Sequence, residues 1–490
     1  MSPRRPAASS AALIGWSQAS RHPGEPLEAW AAALLGTGVT PDAIDSLDVV
    51  YCQSWPYDDP AGRLAASVWA DPKRLHYSGI GGTTPLTLLA RAAERIAMGE
   101  SEVCAIVGGE ALATVRQIRR DGGRPQWSHR DPEKKPFPYE APFQPSEVAH
   151  QVFQAYTTFA LRDVARRAHL GAGVDEHAAG IGRLFAPMTE VASRNPHAWF
   201  PRARSATELM EVTEWNRVVA HPFTKLVMAM MDVDLSAALV LASEGAADRL
   251  GIAADRRVHL RGWAEDRDPD YVAEHDELWR SPGMRTAFSA ALQRAAVGTD
   301  DIAHFDLYSC FPSSVSFSLD ALGIDASDDR GPFTVTGGLP YAGGPGSCYA
   351  LSSVAAMADT LVHDPGSVGL VTGVGMHLSK HAAVVLSTEP GAMVAASGPV
   401  GAVQKANVTR RPIVEQVDGP TTVAAYTVHH DSNGEATDGL LVCDVEGHPA
   451  GGRCYAKVAD AELLAAFETE EWVGRRVQVR HVGGLNVGQP

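Results

Sequence analysis

Two glycine-rich turns, one in each half of the chain, limit most strongly what it can fold into. The first lies in residues 76–110, HYSGIGGTTPLTLLARAAERIAMGESEVCAIVGGE. It reads as a strand end, a tight turn at Gly79, Gly81 and Gly82, a helix and a second buried strand. Thr84 is expected to cap the helix, with Pro85 in its first turn, where a missing N–H costs nothing. Leu86, Leu89, Ala90, Ala93 and Ile96 recur at helical spacing, so one face packs on a sheet. Residues 104–107 form a short apolar run ended by Gly108-Gly109, the pattern of a central parallel strand. The second turn, residues 337–346, leads in the same order to a helix over 348–362, a short polar loop and an apolar strand over 368–374. Identity between the two stretches is slight, but order and spacing match, which points to an internal duplication. A glycine turn feeding a helix N-terminus is suited to hold an anion or a thioester oxygen. Nucleophiles often sit at such elbows, yet the first turn carries none.

Before the first turn the chain alternates strand (11–18), helix (27–36), strand (44–51) and helix (61–70). That alternation predicts an α/β fold with a largely parallel sheet. Arg, Pro and Trp crowd residues 116–143, and helices are expected over 147–168 and 175–193. This is read as an insertion over the sheet edge, a lid or ligand-binding region. Its Arg116, Arg119, Arg120, Lys134 and Lys135 either meet phosphates or form a solvated loop. Residues 217–243 return to the sheet. A second α/β unit follows, with strand 258–263, helix 284–296, strand 305–310, helix 313–322, the second turn with its helix and strand, and strand 382–387. The expected domains are a first half (1–115 and 205–250), the inserted region (116–204), a second half (251–390) and a small all-β unit (400–490). A linker rich in Gly, Ala and Pro precedes that unit. Strands at 422–429, 439–445, 452–458 and 476–481, with a helix at 460–467, suggest a five-stranded OB-like barrel.

Composition closes off several functions. The chain has 490 residues, 45% of them hydrophobic, enough for two or three domains. A formal net charge of −16 argues against nucleic-acid binding, and the barrel lacks the basic and stacking runs of a nucleic-acid module. The six cysteines (52, 104, 310, 348, 443, 454) show no CxxC pair and no zinc-ligand spacing. They read as buried free thiols of a protein in a reducing cytoplasm. The N-terminus lacks the ~7–15-residue apolar core of a signal peptide, and no run approaches the ~20 residues of a membrane span. His377 and His381 sit four apart, but the strand read from Ala382 argues against a metal site there. His221, Asp232 and Asp234 are read as structural.

The duplicated halves, the helical insertion and the loop motifs together resemble the thiolase superfamily over residues 8–388, nearest to sterol-carrier-type thiolases and thiolase-like lipid-transfer proteins. The resemblance implies two βαβαβαββ halves in a five-layer α/β/α/β/α sandwich, and an inserted region that binds CoA. The terminal barrel resembles the OB domains of small subunits that accompany such proteins. The family's nucleophilic Cys, in patterns like CSTGS, corresponds to Ile80 or its neighbours. The NEAF or HDCF motif corresponds to Tyr308-Ser309-Cys310-Phe311. GHP becomes Gly343-Gly344-Pro345, and CxG becomes Thr372-Gly373-Val374. All three members of the Cys–His–Cys set are therefore replaced, by Ile80, Gly344 and Thr372, while the loop glycines persist.

Thiolysis and Claisen condensation need a thiolate and a base, so ordinary thiolase activity is expected to be absent. The first reading is a CoA or acyl-CoA binder, for bulky lipid or steroid thioesters among others. It has no tightly bound cofactor and no metal, and Gly81, Gly82, Gly343, Gly344, Gly373 and Gly375 form its ligand floor. The second is a tyrosine-based aldolase on steroid CoA thioesters, with Tyr308 as acid/base and Tyr341 or Tyr349 beside it. Against it stands the simpler view that Tyr308 fills the space of a lost contact. The third is an acyltransferase using Cys310 or Cys348, the latter at a helix start that can lower a thiol pKa. A protein that binds only other proteins is the remaining class. Thiolases pair through the strand before the first turn; here that strand, residues 74–78, is short and polar, so a monomer or a homodimer is expected.

Overall fold

A computed structural model describes residues 11–22, 24–133, 144–391 and 409–489. The alternation read from the sequence places its strands in one large sheet. The first half supplies β1 (Ala11–Ser20), β2 (Ser46–Val49), β3 (Arg74–Tyr77) and β4 (Val103–Ala111). Two short strands, β5 (Val218–Ala220) and β6 (Phe223–Thr224), precede its last, β7 (Asp234–Ser243). The second half contributes β8 (Val258–Arg267), β9 (His304–Asp306), β10 (Val368–Gly375) and β11 (Lys380–Ser387). The sheet runs β3-β2-β4-β7-β1-β8-β11-β10-β9.

That order makes the duplication visible. From its outer edge the first half reads β3-β2-β4-β7-β1, and the second reads β9-β10-β11-β8, with no second-half counterpart of β3 among the described residues. Where a third outer strand would lie, residues 334–336 are pinned to Asp306. Its Oδ2 accepts from the Thr334 and Thr336 hydroxyls, both at 2.9 Å, and from the Val335 and Thr336 amides. The expected strand 305–310 correspondingly stops at Asp306. The halves meet through β1 and β8, at Ala12 opposite His259 and Leu13 opposite Val258.

The helices Thr84–Met98 and Tyr349–His363, each following a glycine turn, pack in one core with strands of both halves. Leu86, Leu89 and Ala93 share it with Leu351, Val354 and Ala358. Tyr349–His363 is buried on nearly every side, which identifies it as an interior helix, since an amphipathic surface helix hides only one stripe. The cap of Thr84–Met98 differs from expectation. Thr83 is the N-cap and its side chain does not cap; Thr84 is the first helical residue, its hydroxyl turned back to the Gly79 carbonyl at 3.5 Å.

The C-terminal strands are β12 (Gly419–His430), β13 (Ala436–Val445), β14 (Arg453–Val458), β15 (Arg476–Val482) and β16 (Leu485–Gln489). They run β13-β14-β16-β15-β12, and β12 also pairs with β13, which closes a five-stranded ring. β5 and β6, read as part of the first half, instead join this sheet at β12, His429 opposite Ala220. The linker lies largely outside the described residues. No described helix is long and apolar enough to cross a membrane.

Candidate functional site

The second half's loops close over the first glycine turn. The Gly81 amide donates to the Ser347 hydroxyl at 3.0 Å, which ties the two duplicated turns together. Thr372, fully buried at the centre of β10, accepts from the Tyr308 amide at 2.9 Å. Gly373 and Gly375 bring β10 against Gly82 and Thr83; a Cβ on Gly373 would lie 3.2 Å from Thr83 Cα. Gly344 donates its amide to the Met230 carbonyl at 2.9 Å. Gly343, at φ +110°, packs where a side chain would press on Leu235 at 2.8 Å. Gly82, Tyr308, Thr372 and the Ser347 loop thus converge, from segments far apart in the chain.

What they enclose is filled. A Cβ on Gly82 would collide with the Val374 carbonyl oxygen and lie 2.6 Å from Tyr308 Oη, so the phenol stands directly on the turn. Its ring meets Tyr349 edge-on at 5.6 Å. Burial, and then the neighbouring Cys310 and Cys348 thiols, push the Tyr308 phenol far above its ordinary range, and no group lowers it. Tyr349 is engaged elsewhere, its hydroxyl 2.7 Å from Thr336 Oγ1 and 3.2 Å from Asp306 Oδ1. Tyr341 packs edge-on against Phe185, and its buried hydroxyl has no hydrogen-bond partner among the described residues.

The thiols are equally muted. Burial pushes Cys310 up to about 12. Cys348 does occupy the N-cap of Tyr349–His363, but burial, with Glu110 and Cys52 nearby, raises its thiol well above the ordinary value. Desolvation outweighs the helix-terminus field expected to lower it, because the thiolate would lose water on every side. His377 and His381 do not act together either. His381 Nε2 lies 2.9 Å from Asp268 Oδ2 and 3.1 Å from Ser281 Oγ, all buried, while His377 sits at φ +57° in a tight turn. Among the described residues no three His, Cys, Asp or Glu are grouped to hold a metal.

Glu110 went unnoticed in the sequence, although a carboxylate directly after Gly108-Gly109 at the end of an apolar run was the available signal. It is buried at the end of β4 and accepts from the Gln53 and Ser54 amides, each at 2.8 Å, and from Ser54 Oγ at 2.5 Å. Burial pushes its carboxyl up to about 7, against those hydrogen bonds. A Cβ on Gly346 would lie 3.1 Å from its Oε1. Glu110 therefore braces the loop after β2 against the second glycine turn.

Ile80 is half-buried and Gly79 exposed. Ser78 and Gly79 line a cleft of about 1520 Å³, walled by Tyr51, Trp55, Tyr77 and Trp127, with Arg119 and Arg124 among its lining. Of the other basic residues of the insertion, Arg116 is ion-paired with Asp232. Arg116 and Arg120 line a second, smaller cavity of about 440 Å³ beside Trp199 and Phe200. Lys134 and Lys135 lie outside the described residues.

Residues 402–484 match the family model described as the thiolase-like protein type 1 additional C-terminal domain. A solved structure of a monomeric SCP2-thiolase like protein type 1 from Mycobacterium smegmatis is 28% identical, covers 98% of this chain and 98% of its own, and superposes with a TM-score of 0.85. The Ltp2-ChsH2(DUF35) aldolase is 18% identical over 78% of this chain and 99% of that one, with a TM-score of 0.59. Human mitochondrial 3-ketoacyl-CoA thiolase in complex with CoA is 14% identical over 78% of this chain and 98% of its own, with a TM-score of 0.55. Among curated proteins no match was found. The chain has the thiolase fold, with a thiolase-like additional domain at its C-terminal end.

Proposed function

We propose that this thiolase-fold chain binds CoA or acyl-CoA thioesters and does not perform thiolysis. One observation carries the reading. The loops that would hold a reacting thioester converge on the first glycine turn, but the positions that the thiolase resemblance matches to the reactive residues hold Ile80, Gly344 and Thr372, and the Tyr308 phenol occupies the space against Gly82. A site that keeps its loops while losing nucleophile and base together retains binding and hydrogen-bond donation at most. The thioester then lies on the accessible side of the turn, at Gly79 and Ile80. Titration calorimetry with CoA, acetyl-CoA and a steroid CoA is expected to give saturable binding for at least one thioester. Acetoacetyl-CoA with CoA is expected to show no thiolytic turnover. Ordinary turnover, or no binding of any CoA species, overturns the reading.

A second reading rests on the position of Tyr308. Its hydroxyl stands against Gly82 of the turn, so a retro-aldol cleavage of a β-hydroxyacyl thioester would use it as base. The free phenol is held protonated by burial; only a ligand-supplied cation or a proton relay would release it. Tyr308→Phe separates the two readings, since it abolishes cleavage and leaves thioester binding intact.

A further inference from the structure

The cleft beside the first turn has a composition at odds with the rest of the molecule. At about 1520 Å³ it exceeds the roughly 300–1,000 Å³ of a typical small-molecule pocket. Its ring walls come in pairs, Tyr51 with Tyr77 at 5.9 Å and Trp55 with Trp127 at 5.5 Å between centroids. The polar atoms of Trp55 and Tyr77 are already engaged within the protein. Trp55 Nε1 donates to the Ser128 carbonyl at 2.9 Å, and Tyr77 Oη accepts from the Cys52 amide at 2.9 Å. Those two side chains therefore present ring faces and edges more than hydrogen-bonding groups.

Charge on the lining is the second observation. In a chain of net charge −16, Arg119, Arg124 and Arg130 all line this cleft. Arg130 lies 5.9 Å over the Trp55 ring. Arg119 and Arg124 have no carboxylate partner among the described residues. Of the two acids on the lining, Asp58 is taken up by Arg63 through contacts of 3.0 and 2.8 Å, and Asp131 accepts the Glu133 amide at 2.8 Å. Positive charge is thus left over next to aromatic faces, and a guanidinium fork matches a carboxylate through two parallel hydrogen bonds.

We propose that this cleft is a binding site for a flat, ring-bearing carboxylate, its rings between the Tyr and Trp walls and its carboxylate at Arg119 and Arg124. The cleft shares Gly79 with the thioester position proposed above, but its ring walls and arginines do not depend on CoA binding there.

Calorimetric titration of the full chain with 2-naphthoate and 9-anthroate tests it, with octanoate, neutral 2-naphthol and ADP as comparison ligands. Saturable one-to-one binding of both ring carboxylates is expected, with octanoate at least about tenfold weaker. Exchanging Arg119→Ala and Arg124→Ala together is expected to weaken 2-naphthoate about tenfold and to leave 2-naphthol unchanged; Trp127→Ala is expected to weaken both. If the double variant loses its fold by circular dichroism, Arg124→Ala alone is used and is expected to weaken 2-naphthoate selectively. The proposal is overturned by absence of saturable binding for both ring carboxylates, by octanoate binding equally well, by ADP binding more tightly than either, or by arginine variants that bind 2-naphthoate like the parent. A parallel CoA titration separates the two readings, because ring-carboxylate binding without CoA binding removes the thioester reading and leaves this one standing.

Discussion

Gly82 is where the first glycine turn meets β10 and Tyr308. Any side chain there meets the Val374 carbonyl and the Tyr308 hydroxyl. Gly82→Ala is therefore expected to cost about 1–3 kcal/mol, the range for overpacking a close-packed interior, read as a lower denaturation midpoint at unchanged slope. Adding Tyr308→Phe is expected to recover only part of the loss, since the Val374 oxygen remains. Glu110 gives a pH signature. Its folded carboxyl titrates near 7 against an ordinary 4.5, so the folded state holds an extra proton between those values. That stability is complete below about 4.5 and lost as pH rises through about 7, roughly 3 kcal/mol in all. Glu110→Gln is expected to flatten the fall in stability across that window, measured by urea unfolding at successive pH values. An unchanged pH slope would dissociate Glu110 from it. His221, depressed by burial to about 4 from 6.5, acts in the opposite sense: its contribution is complete above 6.5 and lost as pH falls toward 4.

At the scale of elements, the helix Tyr349–His363 shows how far a sequence pattern reaches. The order shared with the first glycine turn predicted a helix over 348–362, and the helix forms within a residue of those bounds. That it is interior follows from its contact with the Thr84–Met98 helix and strands of both halves, which no single-helix periodicity encodes. Leu351→Ala is expected to cost about 2–5 kcal/mol, the range for emptying a rigid core site, again by equilibrium unfolding. A surface helix of the same composition would lose far less. The strand expected over 305–310 ends at Asp306 for a related reason. Leu307 to Cys310 are apolar enough for a strand, but Thr372 takes the Tyr308 amide and Ala229 donates to the Cys310 carbonyl, so the segment satisfies its backbone away from a ladder.

Across the whole molecule, the C-terminal ring is fastened to the insertion and to the second half by polar contacts. Arg167 donates to Tyr426 Oη at 2.6 Å, Tyr455 Oη to Glu147 at 2.5 Å, and Arg453 to the His275 and Asp276 carbonyls. Burial pushes the Glu147 carboxyl to about 7 against the Tyr455 hydrogen bond, giving it the same pH sense as Glu110. With the β5–β6 hairpin also sharing the ring's sheet, the ring and the α/β body are expected to unfold in one transition. Coincident loss of far-ultraviolet circular dichroism and tryptophan fluorescence checks this; two separated transitions would mean the contacts do not couple them.

The amino-acid sequence by itself determined the alternation of strands and helices, the two glycine turns and the run of short C-terminal strands. These are local facts, written in periodicity, turn chemistry and residue identity over a few positions. Only the tertiary structure decided that the Tyr308 phenol stands on Gly82, that Glu110 braces the loop after β2, that residues 218–224 pair with β12, and that Tyr51, Tyr77, Trp127 and Arg124 wall one cleft. Each depends on register and close approach between segments distant in the chain, and burial then sets the protonation of what meets there.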